Sequence, residues 1–132
     1  MLIILYSFLF SYMVFFALCI APVLNKSLDR KDSSRVLRKI FPKNFLYGLF
    51  ASFVLIFVSI YYNNNLSLTF STLIFALFIT NLYILVPRIN LEADKTNNKT
   101  YTKRFKKLHF ISVVIYSLQI VLSLTGMIAF YN

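Results

Sequence analysis

The chain has 132 residues, enough for a single domain, and its composition excludes an ordinary soluble protein. Hydrophobic residues make up 59% of it and aromatic residues 18%, and the mean hydropathy is +0.73. The net charge is +10 although only 14% of the residues are charged, so the position of the charges decides between nucleic acid and membrane. The one cysteine, Cys19, allows no intramolecular disulfide and completes no metal-binding spacing.

The first predicted element is a membrane helix over residues 2–24, an uncharged apolar run. Such a run is long enough to cross a hydrocarbon core of about 30 Å. A secretory signal peptide is disfavoured, because the run has no basic start and Pro22 follows its small-residue cleavage candidate. Ser7 and Ser11 share one face of this helix with Ala21.

A basic segment follows at residues 25–44 and has two interpretations. Asp32, Ser33 and Ser34 are suitable caps for a short amphipathic helix that ends before Pro42 and lies among the lipid headgroups. The alternative is a solvated basic loop. The sequence does not decide between them.

Two further spans are predicted at residues 45–62 and 66–86, joined by a short uncharged turn at residues 63–65. In the earlier span, Gly48 and Ser52 form a pair of small residues four positions apart. Such pairs allow the backbones of neighbouring membrane helices to approach closely. We therefore expect Gly48 and Ser52 to lie at a helix contact.

The third span ends close to Pro87, which is expected to stop or kink the helix. Within this span Asn81 lies opposite a face of threonine residues. A second basic segment occupies residues 87–107, and a fourth span is predicted at residues 108–131.

The fourth span carries a polar seam. Steps of four and three residues along it meet polar or small residues on one face, while Ile, Val and Leu fill the remainder. The seam consists of His109, Ser112, Tyr116, Gln119, Ser123 and Gly126. A helix in lipid turns such a seam toward other helices, whereas a soluble helix has a polar majority and an apolar stripe.

The amides of Gln119 and Asn81 allow two interpretations. An amide at membrane depth costs several kcal/mol if unpaired, so we expect Gln119 to meet a partner such as Ser11, Ser52 or Thr72. In one interpretation these amides hold helices together. In the other they line a path for a small solute.

The charges predict the topology of the bundle. All 14 Lys and Arg residues lie in the two basic segments, divided equally between them. The positive-inside rule places both segments in the cytoplasm and both termini outside. We therefore predict an all-α membrane protein, a four-transmembrane-helix up-down bundle with both termini out. Residues 21–25 and 86–90 look alike, which predicts two parallel helical-hairpin repeats related by an axis along the membrane normal.

Few residues in the spans can carry chemistry. The spans contain no Asp, Glu, Lys or Arg, which disfavours a proton relay or a charge-coupled pump. His109 is the only histidine, and one histidine cannot supply a bis-histidine haem site. It is either an interfacial residue bonded to a loop carbonyl or to Asp94, or a proton carrier or ligand. No catalytic triad, phosphate loop or metal set is recognisable, so no cofactor is indicated and we expect no enzymatic activity.

Several short motifs resemble a known family of bacterial membrane proteins. They are Ala21-Pro22-Val23, Leu28-Asp29, Leu37-Arg38-Lys39-Ile40-Phe41-Pro42, Pro87-x-Ile89-Asn90-x-x-x-Asp94 and Phe105-x-x-Leu108-His109-x-x-Ser112. In this order they resemble the family of domain of unknown function 4149, which is grouped with eukaryotic transmembrane protein 205. The resemblance implies four transmembrane helices and no established activity. Tyr116 stands where the family typically has an asparagine, which puts any site lined by that asparagine in doubt.

The leading functional hypothesis is a non-enzymatic protein of the bacterial cytoplasmic membrane that handles a small solute or metal species. Its candidate site is at the cytoplasmic mouth and consists of Asn25, Pro42, Asn90, Asp94, His109 and Ser112. The intramembrane polar seam adds Tyr116, Gln119, Ser123 and Asn81. One alternative is an assembly subunit that binds another membrane protein or its own copy through small-residue faces. A second alternative is a haem- or redox-associated protein. Anionic lipid headgroups are the expected partners of the basic segments, and nucleic acid is not expected.

Overall fold

The computed structural model describes residues 1–94 and 103–131, and every secondary-structure element within these ranges is helical. Four long helices result: α1 (Leu2–Ser27), α2 (Arg30–Tyr61), α3 (Asn65–Asp94) and α4 (Lys103–Ala129). Each contains a stretch long and apolar enough to cross a membrane, which in α2 is Arg35–Tyr61. The prediction of four membrane-length helices is confirmed.

The helices form a four-membered ring in which α1 and α3 each pack against both α2 and α4. Near one end of the ring the Tyr6 hydroxyl meets Ser67, and the Tyr6 ring lies against Gly126. The starts of α1 and α3 and the end of α4 therefore lie together, and consecutive helices run in opposite directions. We name this the turn end, because it holds the α2–α3 turn. The opposite end, which holds both basic segments, is the basic end.

The start of α2 differs from both interpretations of the segment at residues 25–44. The helix begins at Arg30 and continues into the span, so neither a separate short helix nor a solvated loop is present. Its cap is Asp29, whose carboxylate accepts a hydrogen bond of 2.8 Å from the Asp32 backbone N–H. The prediction of a cap at Asp32 was wrong. Asp32 instead lies in the first turn, where a negative charge is favoured by the helix dipole.

Pro42 lies inside α2 and does not end it, contrary to the sequence prediction. A proline within a helix leaves the carbonyl four residues earlier without its usual donor. For Pro42 that carbonyl belongs to Arg38, in the charged part of the helix. A freed carbonyl costs less where polar groups or water can reach it than deep in a membrane span, which favours the position of Pro42.

The other two prolines follow wide turns of π-helix. Pro22 follows the π segment Phe16–Ile20, and Pro87 follows the π segment Thr80–Leu85. In each, the backbone N–H just before the proline bonds to the carbonyl five residues earlier, from Ala21 to Phe16 and from Val86 to Asn81. The wider turn accommodates the proline ring without ending the helix.

A short turn joins α2 and α3 as predicted, but it spans residues 62–64, because Asn65 already begins α3. Asn63 adopts a left-handed backbone conformation with φ 50°, which asparagine tolerates better than most residues. The Asn64 side chain then caps α3 by accepting a hydrogen bond of 2.9 Å from the Ser67 backbone N–H. Uncharged side chains thus satisfy the backbone at this end of the bundle.

The buried faces of α1 and α3 are in the same register relative to the two prolines. The buried residues of α1 are Tyr6, Leu9, Met13 and Phe16, and those at equal distances before Pro87 are Ser71, Ile74, Phe78 and Asn81. All eight side chains are at most 5% exposed. The two helices therefore present equivalent positions to the core, with different chemistry at each.

Both glycines make room for aromatic rings. A Cβ atom on Gly48 would overlap the Phe78 ring and the Tyr12 hydroxyl, and one on Gly126 would overlap the Tyr6 ring. Gly48 and Ser52 are buried at a helix contact as expected. What approaches Gly48, however, is a pair of side chains and not the backbone of a neighbouring helix.

Candidate functional site

The polar seam of α4 faces the interior along most of its length. Its buried members are Ser112, Tyr116, Gln119, Ser123 and Gly126. His109, at the basic end of the seam, is exposed. The expectation that the seam turns toward other helices is therefore confirmed from Ser112 to Gly126 but not for His109.

At the turn end the buried polar groups satisfy one another. The Tyr6 hydroxyl lies 3.2 Å from the Ser67 carbonyl oxygen, to which it donates, and 3.1 Å from the Ser67 hydroxyl. The Ser59 and Ser67 hydroxyls are 2.6 Å apart, and Ser59 also donates to the Leu55 carbonyl. This cluster joins α1, α2 and α3, so its role is to hold helices together.

Midway along the bundle, Gln119 is only half satisfied. Its Nε2 donates a hydrogen bond of 3.1 Å to the Ile74 carbonyl oxygen of α3. Its side chain is 0% exposed, and its Oε1 has no hydrogen-bond partner among the described residues. The expected hydroxyl partner is thus replaced by a backbone carbonyl, and an acceptor remains free in the core. Leaving a buried acceptor unpaired costs about 1–3 kcal/mol.

Asn81 is half satisfied in the complementary way. Its Oδ1 accepts a hydrogen bond of 2.9 Å from the Ser112 hydroxyl of α4. Its side chain is 0% exposed, and its Nδ2 has no hydrogen-bond partner within residues 1–94 and 103–131. Asn81 also lies in the π segment Thr80–Leu85, a type of distortion that is frequent at functional sites. A free donor and a free acceptor therefore face the core from α3 and α4.

A third polar contact crosses the bundle from α2 to α4. Asn44 Nδ2 donates a hydrogen bond of 3.0 Å to the Tyr116 hydroxyl, which lies 3.5 Å from the Met13 carbonyl. The nearby Tyr12 hydroxyl is buried and has no hydrogen-bond partner among the described residues. The Tyr116 side chain is thus long enough to reach across the bundle to α2. Sequence reasoning missed Asn44 and Tyr12, because Asn44 is the last residue of the basic segment and Tyr12 lies among apolar residues.

Two ion pairs join helices at the basic end. Arg38 Nη1 of α2 lies 2.6 Å from Asp94 Oδ1 of α3, and Arg104 Nε of α4 lies 3.5 Å from Glu92 Oε1 of α3. The Arg38 and Asp94 side chains are 36% and 61% exposed, so solvent weakens their attraction. Glu92 is buried, and sequence reasoning had not identified it.

The residues predicted for the mouth lie at the basic end in different environments. Asn25 is exposed, whereas Pro42 and Asn90 are half-buried. The exposed ring of His109 stacks on Phe105 with centroids 6.0 Å apart, while Asp94 pairs with Arg38. Ser112 is the member that reaches the interior, through its bond to Asn81.

A metal site would need several ligands in one place. Among residues 1–94 and 103–131, no three His, Cys, Asp or Glu side chains are placed to hold a metal ion. Apart from Glu92 at the basic end, the chemistry that the described interior offers is hydrogen bonding by uncharged amides and hydroxyls.

The four membrane-length helices and the uncharged polar interior define a helical integral membrane protein. A family model described as a domain of unknown function (DUF4149) matches residues 4–98, and the chain belongs to that family. The predicted family membership is thereby confirmed, and the grouping with transmembrane protein 205 stays a prediction. No curated protein and no solved structure matches this chain.

Proposed function

We propose that this protein is a non-enzymatic membrane protein that binds a small polar solute inside its helix bundle. The supporting observation is the pair of half-satisfied amides, Gln119 and Asn81, which leave a free acceptor and a free donor in the core. Most buried polar groups in proteins are hydrogen-bonded, so each exception needs a reason. A solute that supplies the missing partners is that reason.

The solute reaches the amides from the basic end. Ser112 connects the two regions, because it lies on the seam between His109 and Tyr116 and bonds to Asn81. The proposed mouth contains Asn25, Pro42, Asn90, Asp94 and His109, as the sequence predicts. The ion pair between Arg38 and Asp94 lies at this opening and joins α2 to α3.

In this proposal the basic end faces the cytoplasm of a bacterium and both chain termini lie outside. The support is the charge distribution, since all 14 Lys and Arg residues belong to the basic segments. A reporter enzyme that works only in the periplasm, fused after Asn132, is expected to be active. A reporter fused after Asn64 gives the same result, because the α2–α3 turn lies at the same end. Activity of a cytoplasmic reporter at both positions would contradict this orientation.

The two hairpins are proposed to be repeats. The equal spacing of buried residues before Pro22 and Pro87, and a π segment ahead of each proline, support this relationship. The basic end is also proposed to contact anionic lipid headgroups. Exposed cations there on all four helices favour that contact, among them Lys26, Lys39, Arg88 and Lys107.

The assembly-subunit alternative relied on small residues that a partner could reach, and these residues are buried. Gly48, Ser52 and Gly126 are buried inside the bundle, where Gly48 and Gly126 face aromatic rings of the same chain. A partner protein or a second copy would have to use the lipid-facing surface instead. Solute binding therefore remains the leading proposal.

The test is native mass spectrometry of the protein released gently from its own membrane, with metal analysis of the same sample. We expect a small bound molecule that is lost in Asn81→Leu and retained in Thr72→Leu, a matched change at an exposed position of α3. His109→Ala, at the mouth, is expected to slow loading while the protein stays folded. A bare chain, a stoichiometric protein partner or a haem absorption band would each overturn the proposal.

A further inference from the structure

The interior contains two equivalent buried positions, one in α1 and one in α3, that carry different residues. Phe16 and Asn81 lie at equal distances before Pro22 and Pro87, and each is the residue whose carbonyl accepts the wide π-type hydrogen bond. Both side chains are buried, at 5% and 0% exposure. The backbone therefore has the same π-type hydrogen bond at both positions, and the side chain determines what can bind at each.

In the first hairpin, the equivalent position holds the Phe16 ring. The Phe16 ring packs edge-on against Phe41 with centroids 5.3 Å apart, and against Tyr116 at 6.4 Å. These contacts close the space with aromatic side chains of the same chain. In the later half the equivalent residue is Asn81, whose Nδ2 is a donor without a partner.

The acceptor that complements Asn81 is Gln119 Oε1. Gln119 bonds to Ile74, two helical turns before Asn81 on α3, a backbone separation of about 10 Å at 1.5 Å per residue. Side chains lean toward the N-terminus of their helix. Because α3 and α4 run in opposite directions, the two amides lean toward each other.

The chemistry of these free atoms selects a neutral ligand. One is an amide N–H donor and the other an amide oxygen acceptor, and neither carries a charge. A metal cation such as Ca²⁺ or Mg²⁺ needs about six oxygen ligands, and an anion would find no positive group inside the spans. A molecule with one acceptor and one donor satisfies both amides without bringing a charge into the membrane.

We infer that the solute is a neutral molecule that carries both a donor and an acceptor, bound at the π segment of α3 between Asn81 and Gln119. Phe16 closes the equivalent place in α1. This inference rests on the proposed function and specifies its ligand class and location. The inference is supported by the unpaired donor of Asn81 and the unpaired acceptor of Gln119. It is also supported by the aromatic packing of Phe16 at the equivalent position of α1.

Thermal unfolding in lipid nanodiscs tests the inference with three probes of similar size, acetamide, acetate and ethylammonium. A ligand that binds only the folded state raises the melting temperature as its concentration rises. We expect acetamide to raise the melting temperature of the unaltered protein, and acetate and ethylammonium to have no such effect. Asn81→Leu and Gln119→Leu should each abolish the acetamide effect. Phe16→Leu, the matched change in the other half, should keep it.

The outcomes separate the inference from the proposed function. Stabilisation by acetate or ethylammonium that depends on Asn81 would overturn the neutral class and leave solute binding standing. An acetamide effect lost in Phe16→Leu but kept in Asn81→Leu would overturn the location. No stabilisation by any probe overturns the inference. If the protein taken from its own membrane also carries no bound molecule, the proposed function falls with it.

Discussion

Replacing Gly48 with leucine is expected to destabilise the folded bundle by at least about 3 kcal/mol, at the upper end of overpacking effects. Even the first carbon of the new side chain would overlap the Phe78 ring and the Tyr12 hydroxyl. Phe78 is fully buried and cannot move into lipid without opening the core. The substitution therefore separates α2 from α1 and α3.

The measurement is unfolding of the purified protein in mixed micelles, followed by helix content as the denaturing detergent fraction rises. Ala76→Leu is the matched control, because Ala76 is exposed on α3 and leucine suits a lipid-facing position. That control should unfold at the midpoint of the unaltered protein. If Gly48→Leu instead leaves the fold intact and only separates the chain from a partner, Gly48 belongs to an interface and the packing argument fails.

The interior face of α4 could be predicted from the sequence because the contrast along it is local. Polar and small residues recur there at helical spacing among Ile, Val and Leu, and the members from Ser112 to Gly126 are buried. The same logic does not work for α1. Ser11 is exposed there and Tyr6 is buried, because Gly126 leaves room for the Tyr6 ring and Ser67 bonds to its hydroxyl. That burial depends on residues of other helices, which the local pattern of α1 does not contain.

The helix boundaries show a second limit of sequence reasoning. Prolines are expected to end helices, yet Pro22, Pro42 and Pro87 all lie inside them. A proline ends a helix when the freed carbonyl finds no other donor and the clash of the ring with the preceding turn is not relieved. Here a π segment precedes Pro22 and Pro87, and Pro42 lies in the charged part of α2. The sequence shows the proline but not whether the local backbone and its surroundings allow the helix to continue.

The sequence identified several of the buried polar residues but not the hydrogen bonds between them. Asn81, Ser112 and Gln119 were identified as polar groups inside the membrane or at its edge. The bond between Asn81 and Ser112, and the one from Gln119 to Ile74, depend on the register between α3 and α4. Helix register is set by packing across the whole interface, including Gly126 against Tyr6. The unpaired atoms follow from that register and so were not predictable.

Replacing Gln119 with leucine is expected to abolish solute binding without destabilising the protein. Leucine is of similar size, so little cavity forms, and the buried acceptor without a partner disappears. The Ile74 carbonyl loses the bond from Nε2 but remains inside a helix, where it keeps its own backbone donor. The free energy of unfolding should therefore be unchanged or higher by about 1 kcal/mol, since an unpaired buried acceptor costs about 1–3 kcal/mol.

The opposite result is expected if Gln119 only holds helices together, so unfolding and ligand content must be measured on the same preparation. Loss of the bond to Ile74 would then lower the stability, and bound solute would be unaffected. Ser123→Ala is the matched control, because Ser123 is buried one turn away and bonds only to the Gln119 carbonyl of its own helix. It removes a polar group from the same seam but leaves both free amide atoms in place, so it should retain the solute. If Gln119→Leu makes the protein more stable and removes its ligand, the role of Gln119 is to bind the ligand, because packing alone would favour leucine at that position.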